Sequence, residues 1–267
     1  MKGPTMDQTI ALPTGEVGYS MRGEGPPLVV LHRDVVVPAS NPFIETLAEH
    51  HSVYALDLPG FGRSPRPHWL RNVTQLASLT GHAIDALDLG SCPIVGLGFG
   101  GWVAADLATQ AGAGRISELV LVSPWGVKPT SGEIADFVLF DLNEWASLGF
   151  HDPARYTALC GDEVEYEVMR AWDSARESLT AVAWKPIGHS RQLRAMLPLV
   201  SVPTLVAWGA EDAIVPASCA KDWQHALAHG TVVVIPDAGH HVDLEAPEAL
   251  AKATADFIRT NRTLEPR

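Results

Sequence analysis

Between Pro93 and Ala104 the chain reads P-I-V-G-L-G-F-G-G-W-V-A, a run that few folds accommodate. Small, β-favouring residues lead into Gly96, Gly98, Gly100 and Gly101, and a helix-forming stretch follows from Trp102 to Gln110. The pattern predicts a strand, a very tight turn and a helix. Two turns of known chemistry fit it, and they exclude each other. Gly96, Gly98 and Gly101 spell G-x-G-x-x-G, which cradles a dinucleotide. Gly96, Gly98 and Gly100 frame G-x-S-x-G, the strained turn that presents a nucleophile, with glycine in the serine's place.

The rest of the chain supplies the context. Residues 8–22 alternate around Thr14-Gly15 and predict an antiparallel hairpin. Pro27–His32, Ser52–Leu58, Glu118–Ser123, Val202–Gly209 and Thr231–Pro236 read as strands of the doubly buried, parallel kind. Helices are expected over Pro42–His50, Val73–Leu89, Ala217–Ala228 and Pro247–Thr260. Such alternation means a mostly parallel sheet flanked by helices, an α/β fold. From Trp125 to Leu199 the rhythm breaks, and helices are expected over Glu133–Leu148, Ala154–Cys160, Val164–Val182 and Ser190–Leu197. The expected organisation is a core of residues 1–125 and 200–267 with a helical cap, residues 126–199, inserted between two sheet strands. The insertion begins at a strand's carboxyl end, where open α/β sheets place their sites.

Composition excludes several classes. Hydrophobic residues make up 46% and charged residues 19%, enough apolar material for a core. The net charge of -12 argues against nucleic acid or an anionic membrane as partner. No apolar run approaches the ~20 residues that span a bilayer, and Met1–Ile10 lacks the pattern of a signal peptide. Cys92, Cys160 and Cys219 are far apart and odd in number, which fits reduced thiols in a cytoplasmic protein. His151-Asp152 and Cys160 have no partner at ligand spacing, so neither a metal nor a cofactor is expected. A small-molecule substrate is the expected partner, and a homodimer is left open.

The dinucleotide turn requires an acid about 20 residues on, at the end of the next strand. Glu118 precedes its strand instead, and that strand ends at Ser123-Pro124 without an acid. The nucleophile turn has company. L-D-L-P-G-F-G-R-S (Leu56–Ser64), V-P-T-L-V-A-W-G-A-E-D-A-I-V-P (Val202–Pro216) and I-P-D-A-G-H-H-V-D-L-E-A-P-E (Ile235–Glu248) stand around it in order. With these four motifs nearly the whole chain resembles the capped α/β-hydrolase superfamily. The resemblance implies that Asp212 is the triad acid and His240 the base, with His241 as the one-residue alternative. It implies that the amide of Phe99 is one oxyanion donor and the amide of Asp34 the other. His32 at its strand end is expected to order the loop.

The chain departs from the family at two places. Gly98 keeps the turn relaxed but removes the hydroxyl, so no acyl-enzyme forms there. His32-Arg33-Asp34 stands where histidine-glycine is usual; Asp34 would oppose an oxyanion, and Arg33 could swing over the pocket toward a substrate carboxylate. Three readings follow: an enzyme in which His240 and Asp212 act as general base on water or a substrate proton, an inactive ligand-binding pseudo-hydrolase, or a Ser→Gly knock-out of an ordinary serine hydrolase. The favoured substrate is a small, largely apolar carbonyl or ester-type compound. Trp125, Trp145, Phe150 and Trp184, with Phe137, Phe140 and Trp172, are expected to line its pocket.

Overall fold

The computed structural model describes residues 6–35, 41–110 and 114–262. The chain begins with the expected hairpin, β1 (Met6–Leu12) and β2 (Gly15–Arg22), turning at Thr14-Gly15. Then β3 (Pro27–Leu31), α1 (Pro42–Leu47), β4 (Ser52–Leu56), α2 (Val73–Ala86), β5 (Cys92–Leu97), α3 (Phe99–Gln110) and β6 (Ile116–Val122) alternate. Between β6 and the next strand lie α4 (Leu142–Leu148), α5 (Pro153–Cys160), α6 (Tyr166–Ala183), α7 (Leu193–Met196) and a 3₁₀ turn at Leu197–Leu199. The chain closes with β7 (Thr204–Gly209), α8 (Cys219–Ala226), β8 (Gly230–Ile235), α9 (Val242–Glu245) and α10 (Pro247–Arg262).

The eight strands form one sheet in the order β1-β2-β4-β3-β5-β6-β7-β8, antiparallel at β1-β2 and β2-β4 and parallel elsewhere. Period-2 alternation splits each central strand between two cores. Val29 and Leu31 of β3 and Leu119 and Leu121 of β6 join α2, α3 and α8 on one face. Leu28 and Val30, and Val120 and Val122, join α1 and α10 on the other. Burial on both faces explains why these strands read as continuous apolar runs. The order reverses between β3 and β5, since β3 leads outward to β4 and β5 leads the other way to β6. The loop after β3 and the turn after β5 therefore flank the crevice at the carboxyl ends of the strands.

The largest departure from sequence expectation is at Glu133–Leu148. Helix forms only over Leu142–Leu148. Asp141 caps it, and Glu144 completes a capping box. Upstream, long-range contacts hold the chain out of helix: Ala135 N–H donates to Ile214 C=O at 2.8 Å, and the Arg176 guanidinium binds the carbonyl of Phe140 at 2.7 Å. The inserted helices are tied to the loops at the strand ends, for example by Ser178 Oγ–H to Gly60 C=O. No helix among the described residues is long and apolar enough to cross a membrane.

Candidate active site

The turn after β5 is built around glycine. Gly98 adopts φ +51°, a left-handed conformation that a Cβ disfavours. Gly100 lets α3 begin hard against β3, where a Cβ would stand 2.3 Å from the Leu31 carbonyl oxygen. Phe99 is the first residue of α3, so its N–H belongs to the helix's opening turn, whose amides have no intrahelical acceptor. The Gly98 carbonyl accepts from Gly101 N–H at 3.0 Å and from Trp125 N–H at 3.2 Å, which locks the turn to the end of β6.

Asp212 sits in the turn after β7. Its Oδ1 accepts from the amides of Ile214 at 2.9 Å and Val215 at 2.8 Å, and its Oδ2 lies 2.8 Å from Nδ1 of His240. Closing the local turn and orienting the histidine are thus done by opposite oxygens of one carboxylate. Both side chains are fully buried. Nε2 of His240 faces the Gly98 turn, the nucleophile elbow of the fold, 2.9 Å from where a Cβ on Gly98 would be. The same Nε2 receives the indole N–H of Trp125 at 3.1 Å. An indole N–H only donates, so Nε2 must present its lone pair and Nδ1 must carry the proton given to Asp212. Trp125 therefore bridges the Gly98 turn and His240, through its backbone N–H on one side and its indole on the other.

An aromatic cluster packs around this pair. Trp125 has ring centroids of Phe99, Phe137 and Trp145 at 6.3, 6.1 and 6.0 Å. Trp145 donates its indole N–H to Asp34 Oδ2 at 2.7 Å. Trp184 is a correction to the sequence reading. It caps the outer end of α6, is 45% exposed, and has the Lys185 ammonium 4.9 Å from its ring centre. Phe150 also lies off the site, packed on Tyr156 and on His241 rather than His240.

Arg33 is a second correction. Its guanidinium does not reach over a pocket; it is buried in an ion pair with Asp243, whose other oxygen receives the Asn41 side-chain amide. Burial lowers the Arg33 pKa to about 10, against the opposing pull of Asp34 and Glu245. The side-chain stem still backs the elbow, with Cβ 3.4 Å from the Cβ position of Gly98.

His240, and not His241, is the histidine bonded to Asp212. The His241 ring is fully buried under Gly149, and burial, then the charges of Arg33 and His240, push its pKa well below the usual value. His32 orders its loop as expected: Leu58 N–H donates to its Nε2 at 3.0 Å, so Nδ1 donates to the Arg33 carbonyl. Burial lowers the His32 pKa. Among the described residues no cluster of His, Cys, Asp and Glu is arranged to hold a metal ion.

Sequence reasoning missed two contacts. The Trp125–His240 bond spans 115 residues and leaves no local pattern; the position of Trp125 just past the strand end was the only signal. The Arg33–Asp243 pair left none, because a buried charge names its need for a partner but not which partner.

Comparison with known proteins follows from this geometry. The model of the alpha/beta hydrolase family matches residues 33–253. The chain is 30% identical, over 80% of its length, to the dihydrolipoyllysine-residue acetyltransferase component of the acetoin cleaving system of Pseudomonas putida, of which it spans 58%. It is 29% identical to the pimeloyl-[acyl-carrier protein] methyl ester esterase of Nitrosomonas europaea, over 85% of this chain and 93% of that one. Among solved structures, a membrane phospholipase A superposes with a TM-score of 0.80 over 97% of this chain and 87% of that one at 22% identity, a likeness of fold.

Proposed function

The chain belongs to the α/β-hydrolase family, and from that premise we propose that it is an enzyme in which His240, held by Asp212, acts as a general base without a serine nucleophile. Its substrate is a small, largely apolar carbonyl or ester-type compound, and residues 126–199 form the cap over it. The observation that carries the reading is the tautomer. Trp125 obliges Nε2 to offer its lone pair, Nδ1–H is given to Asp212, and Nε2 lies 2.9 Å from the Cβ position of Gly98. This is the arrangement a base needs before it takes a proton from water or from substrate. The carboxylate fixes the ring and stabilises the imidazolium that forms. With glycine at 98 the proton cannot come from an enzyme hydroxyl at that position, so the chemistry is water-mediated hydrolysis or proton transfer that drives C–C cleavage. The amide of Phe99, at the positive end of α3, would meet the developing negative charge.

One observation favours a second reading, a pseudo-hydrolase that binds without turnover. Trp125 occupies the lone pair of the base, and substrate must displace it. A panel of short-chain apolar esters separates the two. The enzyme reading expects product formation that a serine-directed fluorophosphonate does not block and that falls about a hundredfold or more in Asp212→Asn. A panel that stabilises the protein against heat but yields no product would establish the binder.

A further inference from the structure

A slot lies between the loop after β3 and the inserted helices. Asp34, Phe137, Trp145, Trp172, Arg176 and Leu179 line it. Asp34 is 4% exposed. Its Oδ2 is held by the Trp145 indole, while Oδ1 is buried and has no hydrogen-bond partner among the described residues. A buried carboxylate oxygen without a donor is costly, and it states its need: an N–H or O–H group. The walls are otherwise mostly aromatic and aliphatic, and the guanidinium of Arg176, which also lines the slot, donates to the carbonyls of Phe140 and Asp141. Trp145 also touches Trp125, the residue bonded to His240, and Cβ of Arg33, one residue before Asp34, is 3.4 Å from the Cβ position of Gly98.

We propose that Asp34 anchors an uncharged hydrogen-bond donor on the substrate, an N–H or O–H carried close to the reacting carbonyl. The proposal rests on the reading of His240 as base and narrows its substrate to carbonyl compounds bearing such a donor, as primary or secondary amides and hydroxy-carbonyl compounds do. Charge decides against a cationic head group. The Arg176 guanidinium lines the same slot, where it interacts with the charges of Asp173, Asp34 and Asp141, so an ammonium would enter against a cation already in place. The cavity in the slot is only about 10 Å³, so as it stands it takes the donor group itself and not a bulky substituent.

The test uses binding, not turnover, with phenylacetamide, its N,N-dimethyl analogue and phenethylammonium as probes on the full chain. Dissociation constants are read from tryptophan fluorescence. Phenylacetamide is expected to bind about tenfold more tightly than either other probe, the worth of one charge-assisted hydrogen bond. Asp34→Asn is isosteric, and the Trp145 N–H obliges the new amide to turn its oxygen to the indole. Its NH₂ then faces the slot, donor against donor, and the preference should fall to near one. His240→Ala should keep the preference, which separates failure of this anchor from failure of the general-base reading. Equal binding of the two amides, tighter binding of phenethylammonium, no binding of phenylacetamide up to its solubility, or a preference that survives in Asp34→Asn overturns the proposal.

Discussion

Replacing Gly98 with alanine measures how closely the elbow is fitted to a residue without a side chain. Two costs are expected. Gly98 has φ +51°, and a Cβ in that region costs about 1–2 kcal/mol. The added carbon would also lie 2.9 Å from Nε2 of His240 and 3.4 Å from Cβ of Arg33. Neither neighbour yields easily: the imidazole is held by Asp212 and Trp125, and the stem of Arg33 is held by its ion pair. Overpacking of this kind adds about 1 kcal/mol or more. The sum, roughly 2–3 kcal/mol, corresponds to a fall in Tm on the order of 5–10 °C for a chain of this size. Gly90 supplies the control. It has φ +68° with nothing within 4 Å of its Cβ position, so Gly90→Ala bears the backbone cost alone. Calorimetry on the two variants isolates the contact with His240 as the difference between them. If Gly98→Ala melts at or above the Tm of Gly90→Ala, the imidazole does not sit over the elbow and the reasoning fails.

The other predictions concern the buried charges. Arg33→Met should cost about 3–5 kcal/mol in urea unfolding by leaving Asp243 buried and unpaired, and adding Asp243→Leu should recover most of it; a single variant of unchanged stability would refute the pairing. For His241 the folded pKa lies well below its ordinary 6.5 because the ring is buried. Below pH 6.5 the unfolded chain takes up a proton that the folded chain refuses, so stability falls as pH falls, with a slope of up to about 1.4 kcal/mol per unit from this group. His32, lowered by burial too, adds to the slope with the same sign. His241→Leu should flatten the urea midpoint between pH 6 and 5 by about the contribution of one histidine; an unchanged slope would mean that His241 titrates normally in the fold.

The legible parts of the fold were those that sequence encodes locally. Strand β5, the glycine turn and α3 announce themselves within about fifteen residues because their φ angles and close approaches demand glycine. Asp212 and His240 were legible for a related reason: each sits at a strand end inside a turn of characteristic composition. The helix expected over Glu133–Leu148 failed at its start, although the capping box at Asp141 and Glu144 was present in the sequence to mark the true boundary. The path of residues 133–140 is set by contacts with Ile214 and Arg176, and no local propensity reports those. Arg33 and Trp184 were placed wrongly for one shared reason. Sequence shows that a side chain is large or charged, but whether it turns into the crevice or away depends on partners far along the chain.

The most direct measurement is the kcat/KM of His240→Ala against the natural chain on whichever ester or carbonyl compound the latter turns over. The account predicts a loss of about a hundredfold or more at neutral pH, the size of effect expected when a positioned base is removed. A variant that keeps its rate within twofold would contradict it, because the proton would then be leaving by a route that does not involve this imidazole.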